Sequence, residues 1–330
     1  MNILVAGGAG FLGSHLVDRL LADEHKVCVI DSFVTGFRDN LRLHPNLEVM
    51  NDLDIVDLPT QFDMKRKFDV VFNFACPASP KAYQANPIHT MMTSVVGTKN
   101  LLDLCRETGA KFIFASTSEI YGDPINHPQF EEDWGNVNPI GIRANYDEGK
   151  RAAETLCFDY FRQYHVKIKI ARIFNTYGPR MAKDDGRVVS NFIVAALRGE
   201  KQTIYGTGKQ TRSFCYVDDL IAGFIALMNT PDNITGPINL GNANETSVSD
   251  LAVRIRAMVR TGEQNPNIAA WLEWNETVRS LTYVHAALPK DDPSRRKPSI
   301  KKAFDTLQWE PKVQLPEGLQ KTIEYFRSVL

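Results

Sequence analysis

An α/β fold is predicted: a doubly wound parallel sheet carrying a smaller, discontinuous α/β substrate lobe toward the C-terminus. Three observations point to it. Short apolar runs alternate with stretches of helical spacing through the first half of the chain. The first run, Ile3-Leu4-Val5-Ala6, passes directly into the glycine-rich turn Gly7-Gly8-Ala9-Gly10-Phe11-Leu12-Gly13. After residue 174 the alternation loosens into short strands, helices and proline-rich turns.

Ile3 to Ala6 has no polar position, which fits a strand buried on both faces. Phe11 to Asp23 places Leu12, Leu16, Val17, Leu20 and Leu21 on helical spacing. Lys26 to Ile30 reads as the second strand and ends at Asp31. Val70 to Ala75 and Lys111 to Ala115 are the next strands, with a helix from Thr90 to Thr108 between them. A long helix follows from Tyr146 to Tyr164, then a strand from Lys167 to Ile173. Strands joined through helices need crossovers, hence a parallel sheet covered on both faces. Further on, strands are expected at Thr203 to Tyr205 and Pro237 to Leu240, and helices at Val188 to Arg198, Asp218 to Met228 and Val248 to Val259. Residues 262–282, with Trp271 and Trp274, fit no class.

The 330 residues carry 38 basic and 39 acidic side chains, a net charge of −1. A general nucleic-acid binder needs a basic excess, so that class is excluded. The five cysteines, Cys28, Cys76, Cys105, Cys157 and Cys215, are scattered and never form a C-x-x-C pair. They read as small buried apolar residues in a reducing compartment, and neither a disulfide framework nor a metal site is expected. The first strand leaves no room for a secretory signal, and Leu220 to Met228, the longest apolar stretch, is too short to span a bilayer. A cytoplasmic protein without membrane contact is expected.

Gly7, Gly10 and Gly13 have G-x-x-G-x-x-G spacing between a strand and a helix. That context suits a Rossmann-like dinucleotide site, where glycines allow the backbone to approach a pyrophosphate at a helix N-terminus. Asp31 ends the second strand, where a carboxylate accepts from ribose hydroxyls and repels a 2′-phosphate, favouring NAD over NADP. A plain turn cap is the second reading of Asp31. Residues 1–174 are expected to be mainly NAD-binding and 175–330 mainly substrate-binding, with segments at about 210–240 returning to the first domain.

Tyr146 and Lys150 lie four apart on a helix and so share a face. The Lys charge is expected to favour the phenolate, which then accepts an alcohol proton as hydride leaves. The Y-x-x-x-K pattern is common on solvated helices. Its weight comes from Thr117, at the end of the preceding strand, where a hydroxyl can hold the same substrate oxygen.

These motifs resemble the extended short-chain dehydrogenase/reductases that modify nucleotide sugars, and within them the UDP-glucuronate decarboxylase (UDP-xylose synthase) group. The matching stretches are Gly7 to His15, Ala75-Cys76-Pro77-Ala78-Ser79-Pro80, Ser116 to Pro124, Trp134 to Pro139, Tyr146 to Arg151, Ala171 to Met181, Asp185 to Phe192, Gln210 to Phe214 and Asp291 to Pro298. The resemblance implies NAD as cofactor, contacted by Gly7, Gly10, Phe11, Leu12, Gly13, Asp31, Ser32, Thr35, Gly36 and Ala75 together with Tyr146 and Lys150. It implies Thr117, Glu119, Tyr146, Lys150 and Arg296 as catalytic, with Glu119 and Arg296 assisting decarboxylation and reprotonation. Pro77, Ser118, Asn175, Val189, Tyr205, Arg212 and Arg296 are the implied substrate contacts. Of these, Asn175 and the two arginines suit a diphosphate. Read from the residues alone, Glu119 fits a structural carboxylate, Arg296 a solvated member of a basic run and Tyr205 plain core.

The implied reaction is redox-neutral. UDP-glucuronate is oxidised at C4, loses CO₂ as a β-keto acid and is reduced again to UDP-xylose. A homodimer formed through the two long helices is also implied. Asn73, Ser94, Ser32 and Ser299 depart from residues usual in the group. The same scaffold serves nucleotide-sugar 4-epimerases and 4,6-dehydratases. A dehydratase usually has an Asp-Glu pair where this chain has Ser118-Glu119. A non-catalytic NAD or nucleotide-sugar sensing module is the alternative of another class.

Overall fold

The computed structural model describes residues 1–264, 267, 283–293 and 295–330. Among the described residues, seven strands form one parallel sheet. In chain order they are β1 (Asn2–Ala6), β2 (Lys26–Asp31), β3 (Leu47–Asn51), β4 (Val70–Asn73), β5 (Lys111–Thr117), β6 (Ile168–Ile173) and, after four short strands outside this sheet, β11 (Ile238–Leu240). Their spatial order is β11-β6-β5-β4-β1-β2-β3. The chain lays down β1 to β3 in one direction, then returns beside β1 with β4 and builds the other way. A crevice therefore opens at the carboxyl ends of β1 and β4, the place where ligands sit in such sheets.

The sheet is apolar on both faces because its strands alternate between two cores. Ile3 and Val5 of β1, with Val27 and Val29 of β2, face one core. Leu4, Ala6, Cys28 and Ile30 face the other. That alternation follows from the period-2 geometry of a strand. Helix α1 (Phe11–Ala22) packs Leu16, Val17, Leu20 and Leu21 into the first core, beside Leu220, Ile221 and Phe224 of α8 (Val217–Met228). Helices α5 (Thr98–Thr108) and α6 (Ala144–Tyr164) cover the second with Leu101, Leu102, Leu104, Ala153 and Cys157.

The predicted helix from Thr90 to Thr108 forms as α4 (Pro87–Met92), a π-helical turn at Thr93–Gly97, and α5. Gly97 sits in that turn because a Cβ there would meet Ile55 Cδ1 at 2.4 Å. Strand β4 stops at Asn73, short of the predicted Ala75. The elements without an expectation include edge strand β3, half-buried with exposed Glu48, and the C-terminal helices Lys301–Leu307 and Leu315–Val329. The short strand at Gln202–Tyr205 pairs with Tyr283–Ala286, and Thr211–Ser213 pairs with Glu245–Ser247. Most of residues 262–282, including Trp271 and Trp274, lie outside the described residues.

A buried ion pair ties α6 to the sheet. Arg172 of β6 donates to both oxygens of Glu154, at 3.0 and 2.8 Å, and Ser116 of β5 donates to Glu154 at 2.5 Å. The rest of the Arg172 fork goes to the Tyr121 hydroxyl (3.0 Å) and the Glu131 carbonyl (2.8 Å). Removing one partner leaves an uncompensated buried charge. Glu154→Ala should therefore lower stability by about 3–5 kcal/mol in urea titration, whereas Glu154→Met with Arg172→Leu should cost less.

Candidate active site

At the carboxyl edge of the sheet lies a cleft of about 1040 Å³. Every residue singled out by sequence for NAD, catalysis or substrate lines it. The cleft runs from the glycine turn, past the ends of β1, β4 and β5, to the segment around Arg212 and Arg296.

The glycine turn is compact for steric reasons. Gly7 has φ +77°, and a Cβ on it would meet the Ala75 nitrogen at 2.7 Å. A Cβ on Gly13 would lie 2.0 Å from the Gly7 carbonyl oxygen. Gly10 is the N-cap of α1 and brings no capping side chain, so the helix N-terminus faces the cleft with its amides open. Asp31 is buried and accepts from the Ala9 amide (2.8 Å) and the Phe33 amide (2.8 Å). It thus caps the turn, and its two oxygens keep lone pairs for a further donor. Asn40, which carried no sequence signal, donates to the Ala9 carbonyl at 2.9 Å and braces the same loop. A cradle that any Cβ would fill, with an open helix N-terminus and a carboxylate at the end of the second strand, fits a dinucleotide.

Tyr146 and Lys150 face the cleft from α6, and both are buried. Lys150 donates to the Ala115 carbonyl at 2.9 Å and lies 4.8 Å from the Phe114 ring centre. Burial pushes the Tyr146 phenol well above its ordinary value, Cys76 adds to that, and a hydrogen bond with Thr117 pulls it down. The expected lowering by Lys150 is thus not what acts on Tyr146 here. The ammonium is 6.0 Å from the ring centre, is directed at a backbone carbonyl, and is itself disfavoured by burial. Thr117 instead is the group that favours the phenolate. Tyr83 stacks on the Tyr146 ring, with centroids 5.1 Å apart and planes 5° from parallel.

Glu119 is held in a buried chain of alternating charge. One carboxylate oxygen takes Arg143 at 2.9 Å and the other takes Arg296 at 2.9 Å. Arg143 also reaches Asp292 (3.2 Å), which takes Arg212 at 2.9 Å. Arg296 donates to Asn175 at 3.1 Å. Burial raises the Glu119 carboxyl, but the guanidiniums of Arg296 and Arg143 outweigh it and hold the group below the usual carboxylate range. Glu119 and Arg296 are therefore neither a surface carboxylate nor a solvated basic residue. Arg143 and Asp292 were missed. Arg143 stands three residues before Tyr146 and Asp292 lies inside the Asp291 to Pro298 motif, but neither position by itself signals the pairing.

The remaining contacts are less tightly held. Pro77, Ser118 and Val189 are buried at the cleft wall, and Tyr205 is 42% exposed at its rim, so it is not core. Asn73 is buried, donates to Thr98 (3.0 Å) and accepts from the Ala75 amide (3.2 Å), which shapes the bend carrying Ala75 to Pro77. Ser94 lies 3.3 Å from the Cys76 sulfur.

The sequence was compared with known proteins. The profile of the NAD dependent epimerase/dehydratase family matches residues 3–241. The chain is 49% identical over 332 residues to "UDP-glucuronic acid decarboxylase 1" of Xenopus tropicalis, covering 100% of this chain and 73% of that protein. It is 50% identical over 331 residues to "UDP-glucuronic acid decarboxylase 5" of Arabidopsis thaliana, covering 99% and 89%. Among solved structures, a UDP-glucose 4-epimerase of Thermotoga maritima with UDP-glucose superposes with a TM-score of 0.85 at 31% identity, covering 100% of this chain and 99% of that one. A UDP-glucuronic acid 4-epimerase of Bacillus cereus, in complex with UDP-glucuronic acid and NAD, gives 0.80 at 29% identity, with 100% of both chains covered. With the glycine cradle and the Thr117, Tyr146 and Lys150 grouping in one cleft, these matches place the chain in the NAD dependent epimerase/dehydratase family.

Proposed function

We propose that this protein is an NAD-dependent decarboxylase converting UDP-glucuronate to UDP-xylose through a 4-keto intermediate. The observation that carries the reading is Glu119, fixed between Arg143 and Arg296 just beyond Thr117 in the same cleft as Tyr146. The whole-chain likeness to proteins named UDP-glucuronic acid decarboxylase supports it.

NAD would be held by the turn Gly7 to Gly13 and by Asp31, and supplies the acceptor that removes and later restores the C4 hydride. Thr117 positions the C4 oxygen and Tyr146 takes its proton. With a ketone at C4, the C6 carboxylate belongs to a β-keto acid. The C5–C6 bond pair then flows to the C4 oxygen and CO₂ departs. Arg296 and Arg143 place positive charge where the substrate carboxylate enters, and Glu119 keeps the two guanidiniums apart and in place. Lys150 holds the end of β5 at Ala115. Arg212 and Asn175 face the diphosphate, and Tyr205, at the open rim, offers a ring to the base.

We assign residues 1–174 mainly to the cofactor and 175–330 mainly to the nucleotide sugar. The return of α8 and β11 to the main sheet supports the segment at about 210–240 rejoining the first domain. The protein acts in the cytoplasm in this reading, consistent with five unpaired cysteines. Among the described residues no helix is long and apolar enough to cross a membrane.

Incubation with UDP-glucuronate labelled at C6 and NAD should release labelled CO₂ and form UDP-xylose. Formation of UDP-galacturonate instead would make the protein an epimerase, and turnover of no nucleotide sugar would favour a sensing module. Tyr146→Phe should lower kcat by roughly 10²- to 10⁴-fold with the fold intact by circular dichroism. We also infer a homodimer through α4–α5 and α6, where Ile88, Met92, Phe161 and Tyr164 are exposed. Sedimentation at micromolar concentration should give twice the mass of the 37.1 kDa chain.

A further inference from the structure

On the decarboxylase reading, on which this inference rests, the chemistry balances only if the cofactor stays in place. The hydride taken from C4 must return to C4 after CO₂ has left. If reduced cofactor departs between the two transfers, the sugar leaves as a ketone and the protein is left without its acceptor. Some part of the chain must hold the dinucleotide through the cycle and still let it enter.

The sheet topology shows where such a fastening has to lie. The crevice opens at the carboxyl ends of β1 and β4. Helix α1 follows β1 on one side of it, and the short helix Pro80–Ala85 follows β4 on the other. Residues 178–187, between the strand Thr176–Tyr177 and the helix Val188–Leu197, touch both sides. Toward α1, His15 donates to the Pro179 carbonyl at 3.0 Å. Arg180 pairs with Asp18 at 2.5 Å, with 14% of the Arg180 side chain exposed. The Arg187 guanidinium lies 5.6 Å from the centre of the Phe11 ring. On the far side Lys81 pairs with Asp184 at 3.0 Å and donates to the Asp184 carbonyl at 3.3 Å. The Lys81 and Asp184 side chains are 63% and 70% exposed. Phe11, Lys81, Arg180, Asp184 and Arg187 all line the cleft.

The two attachments differ in kind. Arg180 sits at φ +67°, which costs energy in a residue with a side chain, and its largely buried pair with Asp18 holds the backbone there. The bond between Lys81 and Asp184 lies in solvent, where water and salt weaken it. Gly186, at φ +86°, supplies a turn beside it that other residues resist.

We propose that residues 178–187 form a strap across the cofactor crevice, anchored on α1 by Arg180 and buckled to the helix Pro80–Ala85 by Lys81 and Asp184, and that opening of this buckle sets how fast reduced cofactor escapes. The firm anchor keeps the strap in register while the exposed buckle opens and closes. Each opening before the second hydride transfer lets NADH and the 4-keto sugar leave. The buckle thus divides the product between UDP-xylose and the ketone. Lys81 and Asp184 are positioning residues, with no part in the hydride or proton transfers.

The test uses the holoenzyme and reverses charges: Lys81→Glu, Asp184→Lys and the double variant carrying both. Release of NADH is followed by its fluorescence on dilution of the loaded protein into excess NAD. Amide exchange over residues 181–187 is followed by mass spectrometry. Both are read without turnover. Each single reversal sets like charges face to face. It should raise NADH release, and the share of ketone formed from UDP-glucuronate, roughly 2- to 5-fold. The double variant should return both to wild-type values, a rescue that a merely structural role would not give. Salt at about 0.5 M should raise release from wild type by screening an attraction, and lower it in the single variants by screening a repulsion. NAD should slow exchange over 181–187 in wild type more than in either single variant. Single variants with wild-type release overturn the proposal, as does a double variant no better than the singles. A wild type that releases no CO₂ overturns the decarboxylase reading instead, and the release and exchange measurements still decide the strap.

Discussion

The site depends on one electrostatic arrangement, a largely buried carboxylate locked between two guanidiniums at the wall of the cleft. Glu119 would be costly to bury alone, as would Arg143 and Arg296. Each is tolerated because the next member of the chain neutralises it: Arg296 to Glu119, Glu119 to Arg143, Arg143 to Asp292, Asp292 to Arg212. The partners come from distant parts of the sequence, so the chain of charges also clamps the C-terminal segment against the end of β5. Three positive and two negative groups leave an excess of positive charge at this end of the cleft. In a low-dielectric cleft that excess acts more strongly than it would in water.

The same desolvation sets the proton chemistry around it. Tyr146, Lys150 and Asp147 are all pushed toward their neutral forms by burial, while Glu119 is kept ionised by its arginines. Neighbouring groups thus differ in protonation because they differ in partners. The stacked Tyr83 ring fixes the plane of the Tyr146 ring, and the Thr117 hydroxyl fixes the direction of its oxygen. The Tyr146 side chain is therefore positioned from two sides.

Much of this was legible in the chain. The unbroken apolar run Ile3 to Ala6 could only be a strand covered on both faces, and the glycines after it had no other steric use in that context. Strand β3 was not legible, because Leu47–Asn51 sits at a sheet edge with half-buried positions and a charge, leaving little pattern. The helices Lys301–Leu307 and Leu315–Val329 were overlooked although Leu315–Val329 is amphipathic, with Leu319, Ile323 and Phe326 buried at helical spacing. In the site, local motifs located Tyr146, Lys150 and Thr117. Arg143 and Asp292 acquire meaning only through contacts 149 positions apart along the chain, which spacing cannot express. The tuning of Tyr146 was misjudged for the same reason: helix geometry puts Lys150 on the correct face but does not say which carbonyl captures its charge.

Strand β11, Ile238–Leu240, closes one border of the sheet by pairing with Ala171 to Ile173 of β6. Until it arrives, β6 presents bare amides and carbonyls to whatever is near. During synthesis on the ribosome, the main parallel sheet therefore cannot finish while its last strand is still being made, some 65 residues downstream of β6. A nascent chain stalled between β6 and β11 would carry an adhesive flank.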